Sequence, residues 1–129
     1  VTGLTNGTSY TFSVTARNAN GTGSASVASG SVTPSTTPGA PTSVSATSAE
    51  NTQSVVTWVA PASTGGAAIT GYTVTSSTGG HTCAWTSGPL SCTVTGLTNG
   101  TSYTFSVTAR NVDGTGSASV PSGSVTPTP

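Results

Sequence analysis

Residues 94 to 111 read VTGLTNGTSYTFSVTARN, and residues 1 to 18 read the same eighteen letters. At this offset of 93, residues 1–36 and 94–129 differ only at positions 19, 20, 28, 35 and 36, which leaves 31 identities in 36. A repeat this close to identity is one structural unit used twice. Within the second copy Tyr103, Phe105, Val107 and Ala109 alternate with Thr104, Ser106, Thr108 and Arg110. A period of two places the apolar set on one face of a strand, whereas helical spacing would scatter it around a cylinder.

Outward from that strand, similar β-rich runs occur at Ser43–Thr47, Ser54–Val59, Tyr72–Ser76, Ser91–Thr95 and Gly116–Val125. Turn signals separate them: Ala49-Glu50-Asn51, Ser63-Thr64-Gly65-Gly66, Gly79-Gly80, Thr98-Asn99-Gly100 and Asp113-Gly114. The spacing predicts an all-β, seven-stranded antiparallel sandwich. The Pro-rich stretch Pro34–Pro41 can continue neither a helix nor a central strand, so it marks the unit boundary. Residues 1–37 then form the C-terminal part of one repeat, carrying its last three strands plus a linker, and residues 38–129 form a complete repeat. In the partial copy, Leu4, Tyr10, Phe12, Val14 and Ala16 are expected to present an apolar face with no partner in their own repeat, to be completed by a continuing chain or by a neighbouring one.

Composition removes most chemistry. Two Lys+Arg, two Asp+Glu and one His give a net charge of zero and a charged fraction of 3% in 129 residues, against about 25% in ordinary soluble domains. Ser and Thr supply 51 of the 129 residues, so hydroxyls replace charge as the solvent-facing polarity. Such a surface has no electrostatic attraction for nucleic acid or anionic lipid, and no apolar run is long enough to insert in a membrane. Glu50 and Asp113 fall in separate loops and cannot act as a catalytic carboxylate pair, and the lone His81 lacks partners for nucleophilic catalysis. Two acidic residues cannot build a calcium cage. The sequence therefore predicts no catalytic residue, no cofactor and no metal.

The residues resemble a known family. Pro41 with Val44 and Ala46, Val56 and Trp58 followed by Pro61, Gly71-Tyr72-Thr73-Val74, Leu97 six residues before Tyr103, and Asn111 before a Gly-rich turn are similar to a fibronectin type III domain. The resemblance covers residues 38–129 and, as a truncated copy, 1–37. It implies a core built on Trp58, Tyr72, Leu97, Tyr103 and Phe105, with Leu97 and Tyr103 forming a tyrosine corner whose hydroxyl bonds back to nearby backbone.

Cys83 and Cys92 enclose a ten-residue loop, and a disulfide between them is expected. The rival, a metal site with His81, lacks the fourth ligand that a structural zinc needs. His81 then reads as a solvated turn residue. Trp85, between the cysteines, is the candidate ligand contact: exposed, it would stack on a sugar ring, but packing over the disulfide is the preferred reading. The triplets starting at Asn6, Asn20 and Asn99 fit a glycosylation pattern, but Asn-Gly is equally a turn dipeptide, which is the preferred reading.

The functional expectation is a non-catalytic structural or adhesive repeat of an extracellular cell-surface fibre or filament, a rigid spacer whose partners are neighbouring copies of the same repeat, with surface glycans as further candidates and no nucleic acid or membrane insertion. The alternatives are a spacer domain of a secreted glycan-degrading enzyme, or a carbohydrate-binding module using Trp85.

Overall fold

The computed structural model describes residues 1–129 and contains no helix. In the first copy β1 (Arg17–Asn18) and β2 (Gly21–Thr22) form a minimal hairpin. The remaining strands are β3 (Thr42–Ala46), β4 (Gln53–Val59), β5 (Gly71–Ser76), β6 (Thr82–Trp85), β7 (Ser91–Thr95), β8 (Phe105–Asn111) and β9 (Gly114–Thr115). They build a three-stranded sheet, β3-β4-β7, facing a four-stranded sheet, β6-β5-β8-β9, and every pairing is antiparallel. This is the two-layer solution for strands that each carry one apolar face.

Alternation decides which face is inside. β4 buries Ser54, Val56 and Trp58, β5 buries Tyr72, Val74 and Ser76, and β8 buries Phe105, Val107 and Ala109. Val94, Leu97, Tyr103 and Val125 complete the core. The Trp58 and Tyr72 rings meet 5.3 Å apart across the sheets. The Trp58 indole N–H is buried without a hydrogen-bond partner, which costs about 1–3 kcal/mol. Burying a ring of that size, about 150–250 Å² at ~25 cal/mol per Å², is worth about 4–6 kcal/mol, so the core position still wins.

The tyrosine corner forms from short-range bonding. The Thr98 amide donates to the Tyr103 hydroxyl at 3.0 Å, while Leu97 and Tyr103 are both buried. The adjoining Asn99 side chain accepts from the Thr52 amide at 2.8 Å and donates to Asn51 Oδ1 at 2.9 Å. Thr52 needs that clamp: its φ of 55° is left-handed backbone, which a β-branched residue adopts only under constraint.

Gly116–Val125 departs from the expected alternating strand. Its amides pair back to β8 and Tyr103 at Gly116, Ser119, Ser122 and Val125, opposite Ala109, Val107, Phe105 and Tyr103. Three residues on this segment thus match two on its partner, step after step. The mismatch is absorbed by side chains, since the Ser122 hydroxyl accepts from the Phe105 amide at 3.0 Å and the Ser119 hydroxyl from the Val107 amide at 2.9 Å. Each hydroxyl replaces a main-chain carbonyl, so the intervening residues loop outward into solvent as successive bulges. Ser122→Ala strands a buried amide and is expected to lower stability by about 1–3 kcal/mol in urea unfolding, whereas Ser117→Ala, on an outward residue, leaves the midpoint in place.

The first copy repeats these local bonds one for one. Tyr10 bridges Val32, the Phe12 amide donates to Ser29 Oγ, the Val14 amide to Ser26 Oγ, and the Thr5 amide to the Tyr10 hydroxyl at 3.0 Å. Burial does not repeat. Val14 is 71% exposed where Val107 is 0%, and Val32 is 50% exposed where Val125 is 8%. The same sequence makes the same ladder twice, and opposing strands decide whether its apolar face is a core.

Candidate functional site

Cys83, Cys92 and Trp85 lie along the seam where β6, an edge strand, approaches β7 of the opposite sheet. On β6, Cys83 pairs with Val74, and on β7, Cys92 pairs with Val56, so both cysteines project toward the gap between layers. They are joined by a disulfide with a Cα separation of 6.2 Å. The bridge therefore ties one sheet to the other, and it leaves no thiolate for a metal.

Trp85 sits two residues along β6, beside Tyr72 in register. Its ring meets Tyr72 edge-on with centroids 5.0 Å apart, and its Nε1 donates to the Pro89 carbonyl at 2.8 Å. Trp58, Tyr72 and Trp85 thus form a continuous aromatic file from the interior to the half-exposed edge. The polar handle that would anchor Trp85 to a ligand is already bonded within its own loop. The indole remains half-exposed. Burial raises the pKa of the Tyr72 phenol above its ordinary value, while that of Tyr10 is lowered, chiefly by donation from the Thr5 backbone.

His81 is not the solvated turn residue that the sequence suggested. It is half-buried, and its imidazole packs edge-on against Tyr103 at 5.9 Å. The Gly79-Gly80 turn places it there: both glycines have positive φ, and a Cβ on Gly79 would lie 2.7 Å from His81 Nε2. Glu50 lies with Asn51, Asn99 and Thr128 at one end of the sandwich, where its carboxylate accepts from Gln53 Nε2 at 3.0 Å. Asp113 follows β8 at the other end, so the two carboxylates cannot share a substrate bond. No three of the His, Cys, Asp and Glu side chains cluster.

A second set of contacts joins the Pro-rich connector to the sandwich, with little in the sequence to announce it. Asn111, buried at the end of β8, donates through Nδ2 to the Thr36 carbonyl at 2.7 Å and to the Thr64 carbonyl at 2.9 Å. The Thr36 amide donates to the Gly65 carbonyl at 2.9 Å, and the Gly39 amide to the Ser63 carbonyl at 3.0 Å. The Pro-rich connector is thereby seated on the loops that precede β5 and follow β8. The one hint was Asn111 itself, a polar residue continuing the inward positions of an apolar strand.

A sequence model of the family described as Fibronectin type III domain matches residues 39–125. Among curated proteins the chain is 39% identical over 127 residues to chitinase A1 of Niallia circulans, covering 92% of this chain and 17% of that protein. It is 37% identical over 132 residues to exoglucanase B of Cellulomonas fimi, covering 97% of this chain and 12% of that protein. The chain thus spans less than a fifth of either relative. Among solved structures, titin kinase with its flanking domains superimposes with a TM-score of 0.60 at 31% identity, over 70% of this chain and 17% of that one. With a sandwich of three and four strands, a tyrosine corner and this family match across most of its length, the chain belongs to the fibronectin type III domain family.

Proposed function

We propose that the chain is a rigid, non-catalytic spacer in tandem repeats of 93 residues within a secreted, extracellular glycan-degrading enzyme, holding a catalytic unit at a distance from the module that grips the polysaccharide. The observation that carries this reading is the similarity to chitinase A1 and exoglucanase B, which extends over 92% and 97% of this chain and so includes the partial copy and the connector as well as the complete repeat. That favours the enzyme spacer over the cell-surface fibre. The physical character of the surface agrees: neutral and covered with hydroxyls, it neither attracts nor repels a glycan chain sliding past.

The test is deletion of residues 38–129 from the enzyme that contains them. Hydrolysis of a short soluble oligosaccharide should persist, and hydrolysis of the insoluble polysaccharide should fall several-fold. Equal retention of both would remove the spacer reading. Incubation of the 129-residue chain with insoluble chitin and cellulose separates the carbohydrate-binding alternative: the spacer stays in the supernatant, while retention abolished by Trp85→Ala would establish that alternative. The fibre reading keeps one specific support, the 31 identities in 36 between copies, and electron microscopy of the parent protein at the cell surface would decide it.

A further inference from the structure

The connector does more than join two sandwiches in sequence. Three glycines mark where main chain meets main chain. A Cβ on Gly65 would collide with the Thr36 carbonyl and lie 2.6 Å from the Thr37 carbonyl; one on Gly66 would collide with the Gly7 amide and lie 2.8 Å from the Asn6 carbonyl carbon. On Gly116 it would run into the Pro38 carbonyl. Such distances are closed to any side chain, so the absence of Cβ atoms at these positions is a steric requirement of the contact. Gly116 shows this most cleanly, because its φ lies outside the left-handed range and conformational freedom is not the reason for glycine there.

We propose that the loop Ser63–Gly66 together with Asn111–Gly116 forms a socket for the tail of the preceding repeat, so that consecutive copies are locked at one fixed angle by main-chain contacts. The tail consists of the Asn6-Gly7 turn and the extended segment Pro34-Ser35-Thr36. These are themselves braced together, since the Gly7 amide donates to the Pro34 carbonyl at 2.8 Å. The partner is defined by chemistry already present: a second copy of this repeat.

Both ends of the unit carry the parts. In the second copy the tail is rebuilt as Asn99-Gly100 with Pro127, the Gly100 amide donating to the Pro127 carbonyl at 2.9 Å, and nothing lies within 4 Å of where a Gly100 Cβ would be. In the first copy the socket half recurs as Asn18 and Gly23, beside an open hollow of about 430 Å³ lined by residues 16–18 and 20–23. The equivalent position in the second copy is where Thr37 and Pro38 sit. Two differences exist in the tail: Thr128 stands where Ser35 does and Pro129 where Thr36 does, so a following joint keeps the carbonyl that the next copy's counterpart of Asn111 would grip and lacks the amide donor. A head-to-tail contact of this kind, repeated along a covalent chain, fixes rise and twist per period.

The joint is separable from the spacer role, because it is read at single amides and needs no enzyme activity. Hydrogen exchange on the full 129-residue chain, followed by NMR, should show the Thr36 and Gly39 amides exchanging at least about tenfold more slowly than in a free chain, together with a nuclear Overhauser contact between Gly7 and Gly66. Asn111→Asp keeps the oxygen that receives the Asp113 amide and turns an acceptor against the Thr36 and Thr64 carbonyls. It should erase the Thr36 protection and the Gly7–Gly66 contact while the Tyr103 and Val125 amides stay protected. Gly116→Ala should do the same. Gly23→Ala, where a Cβ meets only the Ala16 carbonyl at 3.6 Å, should change neither. Free-chain exchange at Thr36 in the unaltered protein overturns the joint, and so does Thr36 protection without the Gly7–Gly66 contact, which would leave the linker docked and the preceding copy loose.

Discussion

Phe105→Ala is expected to cost about 3–5 kcal/mol, and Phe12→Ala to leave the main unfolding transition unmoved. The two phenylalanines share their flanking sequence and their local bonding, each donating its amide to a serine hydroxyl. Phe105 is 0% exposed between two sheets, whereas Phe12 is half-buried on a face without opposing strands. Removing the first ring leaves a cavity that neighbouring strands cannot collapse into; removing the second exposes backbone already near water. Both tryptophans, Trp58 and Trp85, lie in residues 38–129, so fluorescence in a urea titration reports that repeat alone. Equal effects at both positions would mean that the first copy is an integral part of the same cooperative unit.

Period two at Tyr103–Ala109 was legible because the inward positions of this strand are apolar without interruption, and β8 buries Phe105, Val107 and Ala109 in that alternation. The corner at Leu97 and Tyr103 was legible for a different reason: its bond closes over five residues, from Thr98 to Tyr103, so local sequence contains the whole motif. Gly116–Val125 was misread as an ordinary strand because its ladder advances three residues for every two opposite. The signal was the hydroxyl spacing, Ser119 and Ser122, recurring as Ser26 and Ser29 in the first copy. The packing partner of Trp85 is Tyr72, an assignment that sequence cannot make because Tyr72 lies thirteen positions away and is carried to it, as is the Pro89 carbonyl, by the fold. The choice between fibre and enzyme spacer was illegible in principle: both need the same stiff, neutral module, and what distinguishes them lies in the neighbouring domains rather than in the chain's own residues.

Reduction of the Cys83–Cys92 bridge is expected to lower stability by about 2.5–3 kcal/mol, the chain entropy released to the unfolded state when a loop of about ten residues opens. With a urea dependence of about 1–3 kcal/mol per molar, the midpoint should fall by roughly 1–3 M. The structural consequence is asymmetric. β6 has only four residues and pairs on one side only, with β5, so the bridge to β7 is its sole covalent hold on the opposite sheet. β7, by contrast, is paired along five residues of β4. Loss of the bridge should therefore loosen β6 first, and Trp85, carried at its end against Tyr72, should report it as a rise in fluorescence quenching by acrylamide before the core around Trp58 yields. The measurement compares oxidised protein, reduced protein and a Cys83→Ala, Cys92→Ala double variant in one titration series. The variant should follow the reduced form; a midpoint unchanged by reduction would mean that the unfolded loop is already confined, and that the sandwich is held across its seam by the aromatic file alone.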